Sequence, residues 1–180
     1  MDNLELCRDE MCIYMEKCIE IAKETDSNIW YPHVGVLVIS SDGDIVGAGN
    51  KQKFEKTNII IHAERAALYK AGKKAMGGYL FTTLEPCVET YEKGMFSSCS
   101  SMISDYKIGT VVFGLSDGAE KFNGNRGHRY LQRKGIEVVH LHEYSKRIHE
   151  ELFRQTQDGK SIRQCLSRDK EQSGIAPQFH

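Results

Sequence analysis

Gly78-Tyr79-Leu80-Phe81-Thr82-Thr83-Leu84-Glu85-Pro86-Cys87 opens on a glycine, runs through aromatic, leucine and β-branched residues, and stops at a proline. A run of that kind between two breakers reads as a strand, Tyr79 to Leu84. Toward the carboxyl terminus the pattern repeats with helices in between. A helix is expected near Ser97 to Tyr106, a strand over Thr110 to Leu115, a glycine-broken stretch from Asp117 to Gly127, and a helix running to Lys134. A strand over Ile136 to Leu141 and a last helix over Glu143 to Gln157 follow. The span Ser116 to Gly135 is long enough to carry a helical crossover, so the last two strands are expected to be parallel.

Toward the amino terminus, Ile59 to Ala71 reads as a helix built on Ala63, Ala66, Ala67 and Leu68. Before it, Val34 to Ser40 and Ile45 to Ala48 flank Ser41-Asp42-Gly43-Asp44, the pattern of a β-hairpin. Residues 4–24 place Leu4, Cys7, Met11, Met15, Cys18 and Ala22 on one amphipathic stripe. Cys7 and Cys18 are therefore expected to be small core residues rather than metal ligands. Alternating strands and helices of this kind give one three-layer α/β/α domain around a five-stranded mixed sheet. This domain is expected over residues 1–157. Residues 158–180, dominated by Gly, Ser, Gln and charge, read as a loose tail or an arm over a neighbouring subunit.

Composition agrees with an ordinary folded domain. The chain has 180 residues, 27% charged and 40% apolar, enough to bury a core without disulfides. Six cysteines without dense spacing, and an amino-terminal Met1-Asp2-Asn3-Leu4-Glu5-Leu6 unlike a signal peptide, point to a reducing cytoplasm. The longest apolar run, Val34 to Ile39, is far too short to cross a bilayer. Net charge is −7 over residues 1–50, +1 over 51–120 and +5 over 121–180. That gradient is weaker than the concentrated positive face a long polyanion requires.

Three short pieces carry the chemistry. His62-Ala63-Glu64 falls in the first turn of the second helix, Pro86-Cys87 closes the third strand, and Cys99 opens the helix after it. One imidazole and two thiolates suit zinc, and three protein ligands leave the fourth tetrahedral position open for water. Zinc lowers the pKa of such a water from about 16 towards 7. Glu64, two residues beyond His62, is placed to shuttle protons without ligating the metal. Both cysteines are expected near helix starts, where the dipole and the metal favour thiolate.

With these pieces in this order the sequence resembles the zinc-dependent cytidine and deoxycytidylate deaminase superfamily. Pro32-His33-Val34-Gly35-Val36 with Gly47-Ala48-Gly49 looks like that family's first hairpin, residues 78–87 its third strand, and Gly109 to Gly114 its fourth. About residues 5–150 are covered. The resemblance implies a cytidine-deaminase-like fold, zinc on His62, Cys87 and Cys99, and Glu64 as catalytic acid and base. It implies further that the backbone amides of Ala63 or Val88 meet the ring carbonyl of a substrate. Asn50 falls near a ring or ribose contact, Glu89 stands at the rim, and the protein is expected to be a homo-oligomer, a dimer.

Eleven residues separate Cys87 from Cys99. The free cytidine deaminases have two there, so the long spacing resembles the riboflavin-pathway pyrimidine deaminases. Val88-Glu89 and Ser98 depart from that group's usual serine-histidine and proline, and the reductase domain often fused to that group is not expected in the short stretch after residue 150. Phe122-Asn123-Gly124-Asn125-Arg126-Gly127 resembles their glycine-rich loop, with Arg126, Arg129 or Lys51 as candidate phosphate contacts. The expected substrate is a small aminopyrimidine, in a nucleotide or a riboflavin-pathway intermediate. Two alternatives stand beside it. Base editing of single-stranded nucleic acid would use Tyr91, Lys93 and Phe96 of the long loop. A non-catalytic zinc-binding partner subunit would ordinarily show a fourth protein ligand.

Overall fold

A computed structural model describes residues 4–29, 31–54, 57, 59–89, 96–117 and 126–153. Its order is α1 (Arg8–Lys23), β1 (Gly35–Ile39), β2 (Ile45–Asn50), two short strands β3 (Gln52–Lys53) and β4 (Ile60–Ile61), α2 (Ala63–Ala71), β5 (Tyr79–Leu84), α3 (Cys99–Asp105), β6 (Thr110–Leu115), α4 (Arg126–Arg133), β7 (Glu137–His140) and α5 (Ser145–Leu152). The main sheet runs β2-β1-β5-β6-β7. β1 pairs antiparallel with both β2 and β5, while β5-β6 and β6-β7 are parallel. This is the mixed five-stranded sheet with parallel final strands that the sequence predicts.

Both faces of the sheet are covered, which is why β1 and the first five residues of β5 are buried throughout instead of alternating. On one face Leu37, Ile39, Phe81 and Val112 meet Met15, Cys18 and Ile19 of α1 and Ile148 and Leu152 of α5. On the other, Val36, Val38, Leu80 and Val111 meet Ala67 and Leu68 of α2, Met102 and Ile103 of α3, and Leu131 of α4. The close seat of α2 depends on Gly49. A Cβ there would lie 2.5 Å from the carbonyl oxygen of Ala63, so only glycine lets the start of α2 rest on the end of β2.

Two sequence expectations are corrected. The second helix begins at Ala63, not Ile59, because Ile60-Ile61 pairs in extended form with Gln52-Lys53 and leaves His62 as the N-cap with ψ 149°. Cys7 is exposed at the cap of α1, and the buried residue there is Leu6, since the helix starts at Arg8 and sets the core stripe from Met15 onward. Cys18 is buried as expected. The boundary expected after residue 157 and the tail beyond it lie outside the described residues, as do Tyr91, Lys93 and residues 118–125. Among the described residues no helix is long and apolar enough to cross a membrane.

Candidate active site

The carboxyl ends of the parallel strands, where open α/β sheets place their ligands, share one edge with the start of β1 and the end of β2. Gly35 opposes Asn50 across the hairpin and donates its N–H to Thr83 Oγ1 at 3.2 Å. Three side chains converge beside this edge. His62 comes from the cap of α2, Cys87 from the segment after β5, and Cys99 from the first residue of α3. Their ligand atoms all lie within 4.8 Å of one another, the one such cluster able to hold a metal among the described residues.

The spacing fits zinc. Tetrahedral bonds of the usual length imply edges of roughly 3.6 Å between nitrogen and sulfur. His62 Nδ1 stands 3.3 Å from Cys99 Sγ and 3.8 Å from Cys87 Sγ. The local electrostatics favour a bound cation as well. The hydrogen bond from the Cys99 side chain, helped by His62, pulls the Cys87 thiol down to about 4 despite its burial. The same Cys87 contact and burial push the Cys99 thiol up, and a metal ion would relieve that. Burial opposes a charge on His62, but the hydrogen bond and charge of Cys87 outweigh it and raise its pKa.

Glu64 lies in the first turn of α2 with 5% of its surface exposed. Burial raises the pKa of its carboxyl, the direction a proton-carrying acid needs. The expected donors His62, Cys87 and Cys99 therefore meet in space, with Glu64 in the field of His62 and Cys87. Cys87, as expected, lies beside a helix start, that of α3, whose Cys99 N–H donates to its sulfur at 3.4 Å. Asn50 donates to the Ile21 carbonyl at 3.4 Å and accepts from Gln52 at 3.2 Å, so its amide is engaged by α1 and by its own strand's extension.

Residues 9–115 match the model of the cytidine and deoxycytidylate deaminase zinc-binding region, more than half of the chain. The chain belongs to that family. Among its deaminase relatives is the diaminohydroxyphosphoribosylamino-pyrimidine deaminase of Buchnera aphidicola subsp. Acyrthosiphon pisum, 33% identical over 149 residues, covering 81% of this chain and 95% of the relative. The riboflavin biosynthesis protein RibD of Buchnera aphidicola subsp. Baizongia pistaciae is 35% identical over 130 residues, 70% of this chain. The matched segment spans only about a third of that RibD, 32%. Among solved structures, the bifunctional deaminase/reductase of Thermotoga maritima superposes with a TM-score of 0.62 at 28% identity, over 81% of this chain and 40% of the other. Zinc is the metal of the deaminase family.

Two buried residues packed beside this site escape a reading of sequence motifs. Glu85 is buried, and its carboxylate accepts from Ser116 Oγ at 2.7 Å, the Asp117 N–H at 3.1 Å and the His128 N–H at 2.9 Å. It thereby ties the segment before Cys87 to the end of β6 and the start of α4. Gly127 completes the joint, since a Cβ there would lie 2.2 Å from the Pro86 carbonyl oxygen. Arg65 is the second, buried within α2. A second charged residue directly after Glu64, flanked by the alanines Ala63, Ala66 and Ala67, is the one signal that singles it out. At the rim, exposed Glu89 pairs with Arg126 at 2.9 Å, and the charge of Lys51 acts on His62.

Proposed function

We propose that the protein is a hydrolytic deaminase of a small aminopyrimidine, in a nucleotide or a riboflavin-pathway intermediate, with zinc held by His62, Cys87 and Cys99. The observation that carries this reading is the convergence of one imidazole nitrogen and two sulfurs at tetrahedral spacing, with the buried Glu64 in the first turn of the helix that His62 caps. When bound, zinc would supply the Lewis acidity that makes water nucleophilic at neutral pH. In the overall reaction water adds at the amine-bearing ring carbon, the C–N bond breaks, a carbonyl remains and ammonia leaves.

The chain's own residues do the rest. Glu64 takes a proton from the attacking water on a carboxylate oxygen and passes it to the ring nitrogen, then takes the remaining hydroxyl proton of the adduct and delivers it to the departing amine as the carbonyl forms. Burial favours the neutral carboxyl, so the proton is held between transfers instead of being lost to solvent. Ala63, buried at the start of α2, and Val88, directly after Cys87, are assigned to the ring carbonyl through their backbone amides. Asn50 and Glu89 complete the assigned substrate contacts at the end of β2 and at the rim.

A site that requires the thiolates of Cys87 and Cys99 supports a reducing compartment, the cytoplasm. The homodimer implied by the family resemblance is part of the same proposal, and sedimentation measures it. The reading is tested by ammonia release over a panel of aminopyrimidines, nucleosides, nucleotides and single-stranded oligonucleotides. Turnover of an aminopyrimidine nucleotide or a phosphoribosylamino-pyrimidine is expected. No ammonia from any small molecule would overturn it.

A further inference from the structure

Arg65 directly follows Glu64 in α2, and only 6% of its surface is exposed. A guanidinium keeps its charge inside a protein, so its burial depends on hydrogen-bond acceptors and aromatic faces around it. Nη2 donates to the Ser97 carbonyl oxygen at 2.9 Å and to Ser97 Oγ at 3.2 Å. Nη1 donates to the Tyr69 hydroxyl at 3.1 Å, and the guanidinium carbon lies 5.0 Å from the centre of the Phe96 ring.

These contacts join the helix that carries His62 and Glu64 to the residues that lead into Cys99. Ser98 comes next and caps α3 by accepting the Ser101 N–H at 3.2 Å. Cys99 follows, and its N–H donates to Cys87 Sγ at 3.4 Å. Contacts thus run from Arg65 through Phe96 and Ser97 to both sulfurs of the cluster. Phe96 and Ser97 end the long segment between the two cysteines, where nothing in the sequence spacing fixes the approach to Cys99. A lysine would offer one point donor where the forked guanidinium reaches Ser97 through Nη2 and the Tyr69 hydroxyl through Nη1 at once.

We propose that Arg65 is a positioning residue for the metal site, a brace that clamps Phe96 and Ser97 against α2 so that Cys99 keeps its tetrahedral spacing from His62 and Cys87. This rests on the assignment of His62, Cys87 and Cys99 as the zinc ligands. Arg65 touches neither substrate nor metal in this role; it acts through Ser97.

The test uses the zinc-loaded full chain and measures the rate of zinc release to a chromogenic chelator well below the unfolding temperature. The visible spectrum of the cobalt(II)-substituted protein is recorded beside it. Arg65→Lys, which keeps charge and stem, and Arg65→Met are expected to release zinc at least about tenfold faster and to shift the cobalt bands. Ser97→Ala, at an exposed position that does not threaten the fold, should move both readouts in the same direction by less. A residue that merely supports the fold would lower the melting temperature and leave both readouts alone.

Folded Arg65→Lys and Ser97→Ala proteins with wild-type release and superposable spectra would overturn the proposal, whether or not Arg65→Met folds. Cys99→Ala separates the two levels of the argument. If it keeps zinc, the ligand assignment is wrong; if it loses zinc while the Arg65 and Ser97 variants behave as wild type, only the brace is wrong.

Discussion

The Cys99 backbone N–H donates to the sulfur of Cys87 across 3.4 Å, so the first residue of α3 supports a thiolate that arrives from β5. Cys99 thus serves twice, through its own sulfur and through its amide. The consequence is a metal site whose two sulfur donors depend on each other despite the eleven residues between them.

That dependence sets the first prediction. Cys99→Ala removes one proposed ligand while keeping the backbone N–H that serves the other, so metal analysis should find zinc lost from a protein that starts with one per chain. Cys7→Ala and Cys12→Ala, at the exposed start and the half-buried flank of α1, should keep zinc at wild-type stoichiometry. Full zinc in purified Cys99→Ala protein contradicts the assignment.

Glu64 separates chemistry from binding. Glu64→Ala should retain zinc and fold yet lose activity by more than the roughly 10²–10⁴ typical of a single proton transfer, because it serves several in succession. Single-turnover assays on zinc-replete protein check this, and a nearly active variant would place the base elsewhere.

The same residue gives a pH dependence of known sign. Burial raises the folded-state pKa of Glu64 above its ordinary value of 4.5, so ionisation favours the unfolded chain. Its contribution to stability is intact below the unfolded pKa and is lost as pH rises through the folded one. Zinc-free Glu64→Gln should therefore melt higher than zinc-free wild type at neutral pH, with the gain fading below about pH 4. An equal gain at both ends of the range would rule out ionisation as its cause.

Much of this architecture is legible in sequence where local composition decides it. Strands β5 and β6 fall on Tyr79–Leu84 and Thr110–Leu115 as read, because apolar runs there are bounded by Gly78 and Gly109. Ile59 to Ile61 deceives, since three apolar residues before a helix look helical until a partner strand, Gln52–Lys53, claims two of them. Cys7 deceives for a related reason, as helical periodicity does not say where the helix begins. Glu85 and Arg65 leave little trace because their partners, Ser116, Asp117 and His128 for one and Ser97 for the other, are 31 to 43 residues distant in sequence. Motif spacing identifies the donors, while the residues that hold them in register emerge only from the packed chain.

Glu85 tests that point. Its carboxylate accepts from one hydroxyl and two backbone N–H groups inside the protein. Glu85→Gln turns one acceptor oxygen into a donor facing donors, at a cost of about 1–3 kcal/mol. For a chain of this size each kcal/mol lowers the melting temperature by roughly 2–4 °C. Differential scanning calorimetry should find that loss in the zinc-free and zinc-loaded proteins alike, and an unchanged midpoint would mean the three bonds contribute nothing net.

The rim bears on what enters the site. Residues 88–98 connect the two cysteines; Val88 and Glu89 leave beside Cys87, and Phe96 to Ser98 return under Arg65. Glu89 holds Arg126 of α4 in an exposed ion pair at 2.9 Å, so that cation is already neutralised at the entrance. A strand of nucleic acid needs a continuous basic track with aromatic platforms, and its binding weakens steeply with salt. A single small anion needs far less, since breaking one exposed pair worth about 1 kcal/mol or less frees Arg126 for it. Small-molecule turnover is therefore expected to exceed turnover of single-stranded oligonucleotides at matched ionic strength. Replacing residues 88–98 with the shorter segment of a relative should reorder the preferred small substrates while zinc stays bound. If oligonucleotides are the better substrates, or if the exchange leaves the ranking untouched, substrate choice is made elsewhere than at this rim.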